Sequence, residues 1–208
     1  MKIESEVFRG ISISVVFLAY VALWAYQRAR LKKQEGFDPE ILKRDKRPSQ
    51  RFFASIANIL TIALVGLTGI HTWGLKNISG FYYLFEIKDS TTIIIALLIG
   101  GSGLSLCMVA QRTMGAAWRV GIDKETRTNL IDNGVFSYCR NPTYSGLFLV
   151  CLATFLIFPT MSFIIWIITF YLIIELQVRL EEEHLSEIHG VKYSKYCSKV
   201  KRYIPWIY

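Results

Sequence analysis

The fold is decided by residues 91–110, TTIIIALLIGGSGLSLCMVA, which run for twenty positions without a charged side chain. A hydrocarbon core about 30 Å thick requires about 20 helical residues, so this stretch is long enough to cross a bilayer. Its glycines and serines would let a neighbouring helix approach closely. The stretch therefore predicts a transmembrane helix that packs tightly against another helix.

Four further runs are nearly free of charge, and they lie at residues 11–26, 52–75, 144–158 and 163–178. The run at 52–75 meets the spanning length, and the first run meets it if it extends to about Phe8. The last two runs are shorter, and Pro159 between them predicts a tight helical hairpin. We therefore predict an all-α integral membrane protein with five transmembrane helices, in which residues 1–208 form a single membrane domain.

The basic residues are distributed unevenly between the two sides of these runs. The chain carries a formal net charge of +8, and 20 of its 24 Lys and Arg residues fall in the first and third connections or after the last run. Basic loops stay cytoplasmic, so we predict an outer amino terminus with the carboxyl terminus and active site in the cytoplasm. This distribution favours anionic lipid headgroups over nucleic acid as the partner of the basic surface.

Several other classes of site lack support in the sequence. The four cysteines form neither a C-x-x-C pair nor a Cys/His cluster with metal spacing, so no metal is predicted. A Gly-rich dinucleotide fingerprint and a Walker A loop are also missing. The first connection, residues 27–50, is polar and broken by Gly36 and Pro39, and it fits an interfacial arm and a solvated basic linker equally well.

Two polar segments carry the chemistry of the chain. Residues 134–146 precede the fourth run and residues 179–185 follow the fifth, so the helical hairpin should bring both to the same membrane face. Charged residues at such a position are expensive and usually functional. Pro142 can begin a helix whose free N–H groups would attract a carboxylate. A ligand bearing both charges and a purely structural Arg–Glu network remain equally good interpretations.

The order and spacing of residues in these segments resemble a known family. The pattern has a glycine, an aromatic residue two places on, R-N-P-x-Y-x-G, paired glutamates, a leucine and G-x-x-Y-x-x-Y. It is carried by Gly134, Phe136, Arg140, Asn141, Pro142, Tyr144, Gly146, Glu181, Glu182, Leu185, Gly190, Tyr193 and Tyr196, followed by Arg202 and Pro205. These residues resemble the isoprenylcysteine carboxyl methyltransferase family and, more broadly, the membrane phospholipid methyltransferases. The methyltransferase motif region covers residues 111–208.

The resemblance implies a cytoplasmic cap, formed by the third connection and the C-terminal helices, that binds S-adenosylmethionine and releases S-adenosylhomocysteine. The implied cofactor-binding residues are Thr128, Asn129, Leu130, Ile131, Phe136, Asn141, Pro142, Thr143, Tyr144 and Glu181. The candidate catalytic residues are Arg140, Arg179 and Glu182. Asn141 stands where eukaryotic members have histidine, and asparagine can donate a hydrogen bond but cannot carry a proton.

A carboxylate acceptor suits this set of residues. It is ionised at neutral pH and needs no strong base, so the protein supplies mainly alignment and a dry site. We predict carboxyl O-methylation of a prenylcysteine-like or other lipophilic acceptor that enters from the bilayer. A phospholipid or small-molecule N- or S-methyltransferase on the same scaffold stays open. An NADPH-dependent membrane reductase and a non-catalytic membrane scaffold are the alternatives from other classes.

Overall fold

The computed structural model describes residues 2–42, 44–73, 82–85, 90–124, 126 and 128–207. They form six α-helices: α1 (Lys2–Gln34), α2 (Pro48–Thr72), α3 (Ser90–Met114), α4 (Pro142–Ile157), α5 (Met161–His189) and α6 (Val191–Lys199). Two 3₁₀ turns, Gly115–Ala117 and Gly134–Ser137, lie between α3 and α4. Within the described ranges the chain forms isolated β-bridges and no strand. Four basic residues of the charge argument lie outside these ranges, namely Lys43, Lys76, Lys88 and Arg127.

Among the described residues, four helical stretches are long and apolar enough to cross a membrane, namely Glu6–Gln34, Pro48–Thr72, Thr91–Ala117 and Met161–His189. Large apolar side chains project outward from them, with Ile62 72% and Leu98 69% exposed. Helix α4 is apolar but has only 16 residues, so the predicted fifth span stays a prediction. Helix α5 runs for 29 residues without a break, so it continues beyond the fifth apolar run, which ends at residue 178.

The hairpin of α4 and α5 confirms the predicted helix start at Pro142. Helix α4 begins at Pro142, where the fixed φ of proline suits the first helical position and its missing N–H costs nothing. Thr160 caps α5 by accepting a hydrogen bond from the Phe163 N–H. Helix α5 ends before Gly190, whose φ of 50° is readily available only to glycine. The hairpin therefore brings residues 134–146 and 179–185 to the same end of the bundle.

Helices α3 and α4 approach each other at two glycines. A Cβ atom placed on Gly146 would lie 2.5 Å from the carbonyl oxygen of Gly103 and 2.7 Å from Cys107 Sγ. A Cβ on Gly103 would in turn lie 2.5 Å from the Gly146 carbonyl oxygen. The predicted close packing at the small residues of α3 is thus present at Gly103. It holds the start of α4, and with it the RNP motif, against α3.

The first connection is folded onto the third and is not a solvated linker. Helix α1 extends to Gln34, so the connection comprises residues 35–47 instead of the predicted 27–50. The Val120 N–H donates to the Pro39 carbonyl and the Leu42 N–H donates to the Val120 carbonyl, both at 2.9 Å. These bonds satisfy backbone groups that a linker would leave to water.

Ion pairs hold this first connection to α1. Arg28 forms a two-pronged pair with Asp38, at 2.8 Å from Nε and 2.7 Å from Nη2. This hydrogen bonding, together with the charge of Arg28, lowers the pKa of the Asp38 carboxyl to about 2. The carboxylate is therefore ionised throughout the physiological range. The first connection thus forms a fixed part of the end of the bundle that carries the polar motifs.

Candidate functional site

A cavity of about 480 Å³ opens at the end of the bundle where the two polar segments meet. All ten implied cofactor-binding residues line it, namely Thr128, Asn129, Leu130, Ile131, Phe136, Asn141, Pro142, Thr143, Tyr144 and Glu181. Arg140 and Glu182 also line it. The cavity thus brings together, around one space, residues that are up to 54 positions apart in the chain.

The start of α4 is positioned by the C-terminal segment. The Arg140 N–H donates to the Lys201 carbonyl at 2.8 Å, and the Asn141 N–H donates to the Arg202 carbonyl at 3.0 Å. Asn141 precedes a proline and has φ −126° and ψ 57°, outside the helical region that proline disfavours for its predecessor. Its side chain does not cap α4, so the first N–H groups of that helix keep their capacity to donate to a ligand.

Glu182 is the centre of a charged network beside the cavity. Its carboxylate accepts from Arg140 Nε at 3.0 Å, from Arg202 Nη2 at 2.8 Å and from Asn141 Nδ2 at 3.2 Å. Burial alone would lower the pKa of Arg140, but the hydrogen bonds and charge of Glu182 raise it above its ordinary value. The guanidinium therefore stays charged. An Arg–Glu network, one of the two interpretations that the sequence analysis could not separate, is thus present, and it forms one wall of the cavity.

Glu181 belongs to a separate polar chain that runs into the bundle. Its Oε1 accepts from the Tyr144 hydroxyl at 3.0 Å and from Gln177 Nε2 at 2.9 Å. Gln177 Oε1 accepts in turn from Gln50 Nε2 at 3.1 Å. Gln50 is 0% and Gln177 1% exposed, so each amide depends on this chain for partners. These contacts fix Glu181 between α2, α4 and α5.

Gln50 and Gln177 were missed in the sequence analysis. A signal was present for Gln177, because it lies four residues before Glu181 and interrupts the last apolar run on the same helical face. The sequence analysis likewise assigned no role to His184, which lines the cavity. Its Nε2 lies 2.9 Å from the Asp123 carbonyl oxygen and so ties α5 to the third connection.

Arg179 lies apart from these groups. Its side chain is 61% exposed and pairs with Glu175 at 2.7 Å. It is not among the residues that line the cavity. Its catalytic role stays a prediction, whereas Arg140 lines the cavity.

The inner part of the cavity is apolar. It is lined by aromatic and aliphatic side chains of α1, α2 and α5, including Phe17, Phe53, Leu60, Leu64, Trp166 and Phe170. Along α2 the lining extends from Phe53 to Leu64, which corresponds to about 16 Å at the rise of an α-helix. The same cavity therefore joins a polar mouth to an apolar arm between helices that could lie in lipid.

The polar mouth suits S-adenosylmethionine, which carries an amino acid group, a sulfonium and an adenosine. A cavity of about 480 Å³ falls in the range of about 300–1,000 Å³ usual for small-molecule sites. The uncapped start of α4, which Asn141 positions, offers N–H donors for a carboxylate, and Glu181 offers negative charge. Phe136 and Tyr193 add aromatic surface to the wall. The residues present thus fit a ligand with both charges and a flat ring.

Comparisons with known proteins agree with the motif. Residues 91–192 match the model of the phospholipid methyltransferase family. The protein-S-isoprenylcysteine O-methyltransferase of Saccharomyces cerevisiae is 31% identical over 130 residues, which cover 61% of this chain. That alignment covers 54% of the yeast protein, so the chain spans about half its length. The methanethiol S-methyltransferase of Crocosphaera subtropica is 27% identical over 210 residues, covering 99% of this chain and 79% of that protein. The resemblance drawn from the sequence motifs is confirmed.

Proposed function

We propose that this chain, whose residues 91–192 match the phospholipid methyltransferase family, is a membrane-embedded methyltransferase that uses S-adenosylmethionine. The acceptor would be a lipophilic molecule that enters from the bilayer. The third connection and the C-terminal helices would form a cytoplasmic cap over the cavity, with α4 as a fifth, short span and the amino terminus outside.

The observation that carries this proposal is the continuity of one cavity from Glu181 at its polar mouth to Leu64 in its apolar arm. The bound cofactor would supply an electrophilic methyl group on its sulfonium. The first N–H groups of α4, whose start Asn141 positions, would hold its carboxylate, and Glu181 would face its ammonium group. Residues 128–131 would line its adenosine end. The apolar arm would align the acceptor and exclude water.

A carboxylate of a prenylcysteine-like molecule is the acceptor we favour. It is ionised at neutral pH, so no residue of the cavity has to remove a proton. This agrees with Glu182, whose two oxygens already accept from Arg140 and Arg202. Arg140 lines the cavity and would attract the acceptor carboxylate electrostatically.

Methylation of a small thiol is the second candidate. It is favoured by the alignment of the methanethiol S-methyltransferase over 99% of this chain. A thiol must lose its proton before or during transfer, and Glu181 with its hydrogen-bonded partner Tyr144 would be the group within reach.

Calorimetric titration of the detergent-purified protein with S-adenosylhomocysteine tests the cofactor. We expect binding by the natural protein and at least tenfold weaker binding by Glu181→Gln. Arg179→Gln, a charge change on the same helix but outside the cavity, should bind as the natural protein does. No binding by the natural protein would reject the cofactor.

Transfer of labelled methyl groups from S-adenosylmethionine tests the acceptor. A farnesylcysteine analogue and methanethiol are offered separately to the same preparation. Base-labile methyl ester on the first supports the favoured acceptor, whereas dimethyl sulfide from the second supports the alternative. If the protein binds the cofactor but labels neither acceptor, labelling of another membrane component would still support methyltransferase activity. Without any labelled component, the methyltransferase proposal is rejected.

A further inference from the structure

We infer that a second cavity, separate from the proposed methyl-transfer site and independent of it, binds the anionic headgroup of a phospholipid. This cavity has a volume of about 380 Å³ and lies where the first connection joins α2. Its charged lining consists of Arg44, Lys46, Arg51 and Asp45. It lies at the end of the bundle that carries the polar motifs. Arg51, which lines it, follows Gln50, and Gln50 contacts Gln177, which donates to Glu181.

The charge of this second cavity is not balanced by the protein. Asp45, its one acid, is occupied by Arg47, which donates from Nε to both carboxylate oxygens at 3.0 and 2.9 Å. Arg44 reaches Asp38 only at 3.4 Å and is 70% exposed. Lys46 and Arg51 are exposed and have no ion-pair partner in the described part of the chain. Lys46 and Arg51 thus leave two uncompensated positive charges in the lining of the cavity, next to Arg44.

The surface of α2 next to the cavity favours a lipid over a free anion. Ser55, which lines the cavity, is followed by Ile59 and Ile62 at steps of four and three residues, so all three share one face of the helix. Ile59 is 59% and Ile62 72% exposed. A phosphate group in the cavity would therefore continue directly into an apolar stripe along which an acyl chain can lie. Basic pockets at the membrane interface bind anionic headgroups in this way.

Native mass spectrometry of the detergent-purified protein, titrated with phosphatidylglycerol, tests the site. A basic residue at a membrane surface contributes about a fivefold gain in affinity. The double variant Lys46→Gln/Arg51→Gln should therefore bind phosphatidylglycerol about thirtyfold more weakly. The matched control Lys195→Gln/Lys199→Gln removes two exposed cations of α6 and should bind it as the natural protein does. Arg44→Gln, at another exposed position, should weaken binding about fivefold and provides a second test if the double variant fails to fold.

Equal affinity in the natural protein and in Lys46→Gln/Arg51→Gln would overturn the proposal, as would equal weakening by the α6 control. Two competitors identify the source of the phosphate group. Phosphatidylcholine, which has no net charge, should be retained much less than phosphatidylglycerol, and equal retention would also overturn the proposal. Millimolar inorganic phosphate should not displace phosphatidylglycerol. Displacement by phosphate would assign the cavity to a free anion and reject the lipid.

Discussion

The substitution Gln50→Leu tests whether the buried amides hold Glu181 in place. Gln50 does not line the main cavity, and leucine has a similar volume, so the change removes mainly the hydrogen bond to Gln177 Oε1. Leaving that oxygen without a partner costs about 1–3 kcal/mol. Gln50 Oε1 itself has no hydrogen-bond partner in the described part of the chain, and its removal offsets part of that cost. We expect a net loss of about 1 kcal/mol.

This loss has two measurable consequences. For a chain of this size, about 1 kcal/mol lowers Tm by about 2–4 °C. If Gln177 turns to find another partner, Glu181 loses one of its two donors, and the affinity for S-adenosylhomocysteine should fall by about fivefold. Tm is followed by intrinsic fluorescence in detergent, and affinity is measured by calorimetry. The two together separate a general loss of stability from a displaced Glu181.

Gln27→Leu is the matched control, since Gln27 is 2% exposed and donates to the Gln111 carbonyl between α1 and α3. It should lower Tm by a similar amount and leave the affinity unchanged. The reasoning is refuted if Gln50→Leu leaves both quantities unchanged, or if Gln27→Leu weakens binding to the same extent.

Three further predictions concern packing, the cavity wall and pH. Gly146→Val should cost about 1–3 kcal/mol and lower Tm by several degrees, because its Cβ would meet the Gly103 backbone, whereas Gly101→Ala, with nothing within 4 Å, should leave Tm nearly unchanged. His184→Ala should speed hydrogen exchange of the amides at residues 118–124, since the contact with the Asp123 carbonyl is lost; unchanged exchange would show that α5 does not restrain this loop. The pKa of Asp38 lies at about 2, below its ordinary value of 3.8, so the stability contributed by its pair with Arg28 is complete above about pH 4 and is lost as the pH falls through 2. The difference in Tm between the natural protein and Asp38→Asn should therefore be constant from about pH 8 to 5 and shrink below about pH 4; a difference that shrank already near neutrality would contradict this assignment.

The sequence predicted the elements that depend on local signals. Pro142 begins α4 and Gly190 follows α5, as the geometry of proline and glycine requires. The hairpin of two apolar runs predicted the meeting of the polar segments, and Arg140 indeed contacts Glu182 at 3.0 Å. These predictions required only the properties of adjacent residues, or one reversal of the chain between two consecutive helices.

Other features depend on contacts that leave no local signal. Gln50 and Gln177 are 127 positions apart, and their contact follows from the packing of α2 on α5. The first connection folds onto Val120 through backbone hydrogen bonds. Such bonds do not depend on the identity of the side chains, so the sequence carries no signal for them. The contacts of Arg202 were likewise not predicted. Glu175 and Glu182 both lie on α5, but the sequence analysis placed the first in an apolar run and the second in a polar segment.

The carboxylate of Glu182 has a mechanical consequence. Through Arg140, Asn141 and Arg202 it fastens the start of α4 and the final segment of the chain to one turn of α5. Separating these segments from α5 would take the guanidinium groups of Arg140 and Arg202 away from Glu182. We therefore expect these contacts to persist during turnover. Under the proposed function, spent cofactor would then depart on the opposite side, past the loop that contains Asp123 and that His184 ties to α5.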